Sequence, residues 1–78
     1  MKLPRGVSAD RLIRVLQHLG YEAVRQKGSH VRLRHNGPPI HSITVPLHHP
    51  LKTGTLHSIL SEVSYMRSIS VEALSELL

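Results

Sequence analysis

The chain contains no cysteine, no tryptophan and no phenylalanine, and Tyr21 and Tyr65 are its only tyrosines. Lack of cysteine excludes disulfides, thiolate metal centres and cysteine nucleophiles. Without the large aromatics, a core must be assembled from Leu, Ile and Val. A domain of this size buries only about 60% of the surface its unfolded chain exposes, so a core this thin gains from a partner or from self-association. Carboxylates are also scarce: Asp10, Glu22, Glu62, Glu72 and Glu76 are scattered along the chain. A two-metal nuclease centre needs clustered carboxylates and has little to build on here. Long apolar runs are missing too, since Asp10, Arg11 and Arg14 interrupt the stretch after Met1 to Gly6. Neither a secretion signal nor a membrane-spanning helix is expected, and the reading is a cytoplasmic protein. Glycine-rich nucleotide loops, serine triads and glycosidase carboxylate pairs have no counterpart in the sequence.

Positive charge, by contrast, is in excess. Ten Lys and Arg face five Asp and Glu, a formal charge of +5 over 78 residues. That balance favours a polyanionic partner such as nucleic acid, an acidic protein or a membrane surface. No repeat, low-complexity segment or linker divides the chain, so residues 1–78 are expected to form one domain.

The spacing predicts a helix from Ser8 to Leu19: Ser8 caps it, Leu12, Leu16 and Leu19 recur on one face, and Gly20 ends it. From Tyr21 to His35 the period changes to two around the small pair Gly28-Ser29, which predicts strand, tight turn, strand. A two-residue loop sets Lys27 opposite His30 and Arg25 opposite Arg32 on one face. Val24 opposite Leu33 and Gln26 opposite Val31 fall on the other. The first face collects Arg25, Lys27, His30, Arg32 and Arg34; on the second, Val24, Val31 and Leu33 are expected to be buried. Asn36-Gly37-Pro38-Pro39 breaks the chain before a third strand around Ile43 and Val45 that Pro46 ends. Thr53 or Thr55 is expected to cap a second helix with Leu56, Ile59, Leu60 and Val63 on its apolar face. Ser70 caps a short final helix carrying Val71, Leu74, Leu77 and Leu78. The fold class is therefore α+β, α-β-β-β-α with a short additional C-terminal helix and a three-stranded antiparallel sheet, the layout of a double-stranded RNA-binding domain.

The run Arg25-Gln26-Lys27-Gly28-Ser29-His30 is the foremost candidate for chemistry, because it places a titratable imidazole on a hairpin among several cations. Such a histidine suits a general base acting on a ribose hydroxyl beside a phosphate held by Lys27 and Arg32. A solvated surface histidine is the alternative reading. Further histidines, His35, His41, His48, His49 and His57, match no standard zinc spacing, and no metal is expected. Gly54-Thr55 at the start of the second helix offers backbone N–H groups to a phosphate, or Thr55 simply caps the helix.

Four blocks together resemble the HicA family of mRNA interferase toxins from HicBA toxin–antitoxin modules. They are Leu16-x-x-Leu19-Gly20-Tyr21, Arg25-Gln26-Lys27-Gly28-Ser29-His30, Val45-Pro46-Leu47-His48 and Leu51-Lys52-x-Gly54-Thr55-Leu56-x-Ser58-Ile59-Leu60. They lie in the family's order from about residue 8 to residue 63. The resemblance implies an endoribonuclease of double-stranded RNA-binding fold, with a catalytic histidine corresponding to His30 and no cofactor. Arg25, Lys27, Ser29, Arg32 and Arg34 are the residues expected to bind RNA, with Gln26, Gly28, His48 and Thr55 at the edge of the site. It also implies a HicB-type antitoxin as partner in a toxin–antitoxin hetero-oligomer, with a homo-oligomer, favoured by the thin core, as the alternative assembly. Two departures stand out. Residues 64–78 diverge, with a longer glycine-free connection from Ser64 to Ile69 before the last helix, and His57 stands where Arg is expected.

Two rival functions stand beside this reading. A non-catalytic RNA-binding module would grip phosphates on the basic face and use His30 only to stack or donate. A DNA-binding regulator would read bases with the second helix, but its outer face offers only His57, Ser58, Ser61 and Glu62.

Overall fold

A computed structural model describes residues 3–78. Its first helix, α1, spans Ala9–His18. Ser8 caps it, its hydroxyl accepting from the Arg11 amide at 3.2 Å, and Ala9, Leu12, Val15 and Leu16 are buried. Gly20 lies beyond its end at φ +104. A side chain there would be doubly excluded, since a Cβ would lie 2.7 Å from the His35 Nε2.

Three antiparallel strands come next, β1 at Glu22–Lys27, β2 at His30–His35 and β3 at His41–Pro46, in the order β1-β2-β3. Lys27 pairs with His30 across a two-residue turn in which Gly28 has φ +57. A type II′ turn takes glycine at this first central position. Arg25 pairs with Arg32 and Gln26 with Val31, as alternation predicts. The register then shifts. Ala23, not Val24, pairs with Leu33, because a bulge between Ala23 and Arg25 leaves Val24 as an extra residue. Val24 is accordingly 55% exposed rather than buried, which corrects the expectation for it, while Val31 and Leu33 are buried as expected. A bulge inserts one residue without changing the composition or spacing that marks a strand, so alternation read straight through it assigns Val24 the wrong environment.

The second helix, α2, spans Thr53–Arg67 and buries Leu56, Ile59, Leu60 and Val63. Its N-cap is Lys52, without a side-chain cap, so neither Thr53 nor Thr55 serves as one. The segment expected to be a long connection is helical instead as far as Arg67. Ser68 ends it in the left-handed conformation, φ 55 and ψ 40, where glycine is the usual residue. A short α3 occupies Val71–Glu76, with Ser70 accepting from the Ala73 amide at 3.0 Å as predicted. Leu74 of α3 reaches the core, and Arg11 Nε donates to the Leu78 carbonyl, tying the C-terminus to α1.

One face of the sheet carries Val31, Leu33, Ile43 and Val45 into a single cluster with Leu12, Leu16, Tyr21, Leu56, Leu60 and Val63. The helices therefore cover that face and leave the other open. All six residues of β1 are exposed, which makes it an uncovered edge. No described helix is long and apolar enough to cross a membrane.

Candidate functional site

Strand alternation puts Arg25, Lys27, His30, Arg32 and Arg34 on the open face, all exposed. Four of them, Arg25, Lys27, His30 and Arg32, line one shallow groove of about 230 Å³ together with Thr44 of β3. The pairing explains the convergence. Lys27 and His30 close the hairpin side by side, Arg25 and Arg32 form the next rung, and Arg32 faces Thr44 on the third strand. The Thr44 hydroxyl accepts from Arg32 Nη1 at 3.2 Å, which fixes the guanidinium across the sheet. Three cations thus line one solvent-open groove with an exposed imidazole, an arrangement that attracts an anion to the ring.

Other expected site residues occupy different places. Arg34 shares the face but sits one rung further along, opposite Glu22 and Ser42, outside the groove. Gln26 falls on the opposite side of the ribbon and donates from Nε2 to the Gly28 carbonyl at 3.3 Å, bracing the turn. Ser29 and Gly28 form the turn itself, and the Ser29 carbonyl accepts from the Leu47 amide at 2.7 Å, which ties the hairpin to the end of β3. His48 is exposed and its backbone carbonyl accepts from the Ala9 amide, at the entry to α1 and away from the groove's lining. Thr55 lines a neighbouring and larger groove of about 580 Å³ with Arg32, Ser42, Thr44, Ser58 and Glu62. Arg32 and Thr44 belong to both grooves, so the two meet at that pair.

Sequence reasoning missed Thr44, which only the β2–β3 register brings opposite Arg32. It also missed a polar chain at the far end of the strands. His41, 6% exposed, lies between the Tyr21 hydroxyl, 2.7 Å from Nδ1, and the Glu62 carboxylate, 2.9 Å from Nε2. A carboxylate only accepts, so Nε2 carries the proton towards Glu62 and a neutral ring accepts from Tyr21 at Nδ1. Arg67 lies 5.9 Å from the Tyr21 ring centroid, hydrogen-bonds the His35 ring and donates to the Pro39 carbonyl. Burial pushes the Tyr21 phenol above its ordinary value; Arg67 opposes the shift and Glu62 adds to it. These side chains come from β2, β3, α2 and the residue before β1, and no local pattern announces their meeting.

Helix, antiparallel three-stranded sheet and covering helix, with a basic open face, define a small α+β domain of the double-stranded RNA-binding kind. The sequence model of a family described as the HicA toxin of bacterial toxin–antitoxin modules matches residues 9–64. The chain belongs to the HicA toxin family. That match begins with α1 and ends within α2, and so includes both grooves. No curated protein and no solved structure matched the chain. Membership makes it the toxin component of a module whose other component is an antitoxin.

Proposed function

We propose that this toxin is an endoribonuclease that cleaves RNA by in-line attack of a ribose 2'-hydroxyl on the adjoining 3'-phosphate. The observation that carries this reading is the His30 groove, where one exposed imidazole stands among Arg25, Lys27 and Arg32. His30 takes the proton of the attacking hydroxyl as general base. Lys27, its partner across the hairpin, offsets charge as the pentacoordinate phosphorus forms, and Arg25 and Arg32 hold the phosphate. The 2'-oxygen to phosphorus bond forms as the bond to the leaving 5'-oxygen breaks, and that oxygen takes up a proton from solvent, so the products are a 2',3'-cyclic phosphate and a 5'-hydroxyl. DNA has no hydroxyl to attack with and resists.

The groove's own side chains supply a base and cations, so the reaction requires no metal and persists in a chelator. A HicB-type antitoxin with an acidic or anion-mimicking surface would neutralise the toxin by covering the same cations. His30→Ala tests the assignment, because the ring is exposed and its loss removes no packing. Cleavage should fall by about 10²- to 10⁴-fold, as loss of a general base does, with RNA binding and folding retained. Fragments should end in a 5'-hydroxyl and a 2',3'-cyclic phosphate or 3'-phosphate. Fragments bearing 5'-phosphates would require an activated water and would exclude this mechanism, and comparable cleavage by His30→Ala would exclude His30.

A further inference from the structure

We propose that Glu62, held by the buried His41–Tyr21 pair, reads the base beside the cleaved phosphate and favours one that presents an amino group. The inference rests on the endoribonuclease reading, which puts the phosphate among Arg25, Lys27 and Arg32.

The larger groove adjoins that position through Arg32 and Thr44, so an RNA strand whose phosphate sits among the cations carries a neighbouring nucleoside into it. At about 580 Å³ it lies within the range of small-ligand sites. Its chemistry is not that of a phosphate site. Thr55, Ser58 and Glu62 form one stripe along α2 at spacings of three and four residues, and they face Ser42 and Thr44 across the groove. Beyond Arg32 the polar lining is hydroxyls and one carboxylate, which repels phosphate but accepts from N–H groups on a base edge.

A glutamate at the surface ordinarily samples many rotamers. Here a buried partner restrains it: His41 Nε2 donates to it at 2.9 Å, and the Tyr21 hydroxyl secures the ring from the other side at 2.7 Å. One carboxylate oxygen is thus engaged while the residue stays 54% exposed and turned to the groove. A preoriented acceptor of this kind, met by the position that carries the C4 substituent, takes the N4 amino group of cytosine as donor but meets the O4 carbonyl of uracil as a second acceptor, uracil's N3–H lying at the next ring position.

The two pyrimidines give the cleanest test, read as binding by the His30→Ala protein so that the RNA stays intact. Fluorescence anisotropy with labelled oligocytidylate and oligouridylate should show about tenfold tighter binding of the cytidylate, the scale of one good base contact. Adding Glu62→Gln keeps an oxygen for His41 but points an amide NH₂ into the groove, so the ratio should fall to one or invert towards uridylate. The thermal midpoint should stay unchanged. Equal affinities before the second substitution, or a tenfold ratio that survives it, would overturn the proposal. Cleavage of the same oligonucleotides by the wild-type protein is scored separately. Its absence would sink the endoribonuclease reading and leave the binding ratio to be judged by itself.

Discussion

Arg32 and Arg34 differ by one rung of the sheet and by what they can touch. Arg32 is pinned to Thr44 and lines both grooves, whereas Arg34 lines neither. Arg32→Ala should therefore weaken RNA binding by about tenfold, a contact held in two grooves, and Arg34→Ala by about twofold or less, a screened charge at the margin. Equal losses would mean that the face binds by net charge alone. Tyr21 makes a prediction of another kind. Burial raises its phenol above the ordinary value of about 10. As pH rises, the unfolded chain gives up this proton before the folded one does. The associated stability is complete below the ordinary phenol value and is lost as pH climbs from there through the higher folded value. Urea midpoints should decline as pH rises above about 10, where the unfolded phenol ionises ahead of the folded one. Tyr21→Phe should start lower by about 1 kcal/mol for its lost hydrogen bond and decline less steeply over the same interval. An equal slope would remove Tyr21 from the account.

Among the elements, β1 and α2 depart most from what the chain announces. The hairpin, the basic face and the cap at Ser70 were legible because each depends on neighbours in sequence: Gly28-Ser29 as a turn, period two on either side, a serine before an apolar stripe. Val24 was not, since a bulge depends on how β1 settles against β2. Leu33→Ala should cost about 2–5 kcal/mol as a fully buried leucine. Val24→Ala should stay within about 0.5 kcal/mol, as an exposed position does. Chemical denaturation of both variants measures whether the bulge persists in solution. The helical run to Arg67 was hidden for a related reason. Glycine is the usual marker of a helix end, and here Ser68 adopts φ 55 without it. Ser68→Gly should raise stability by about 0.5–1 kcal/mol by relieving a left-handed serine, and a loss instead would show that the serine side chain contributes to the turn. Tyr21, His41 and Glu62 were the least legible of all. They stand about twenty residues apart, and only the packing of α2 against β3 closes the chain.

At the scale of the whole molecule, charge is segregated across the thickness of one sheet. Helices cover one face with an apolar layer, and the other face holds Arg25, Lys27, Arg32 and Arg34 in the open. Binding of a polyanion to that face must release counterions from the RNA, so affinity falls with salt in proportion to the phosphates neutralised. Three or four contacts on a single strand correspond to a slope of about −2 to −3 in a plot of log affinity against log salt concentration. Arg32→Ala should make the slope shallower by about 0.7, the share of one phosphate on single-stranded RNA. Arg14 provides the control. It is exposed on α1, a helix packed on the covered face, and its charge equals that of Arg32. If the open face is the RNA surface, Arg14→Ala leaves the slope unchanged. If the two variants shift it alike, the RNA answers to the overall charge of +5 and not to the face that carries His30.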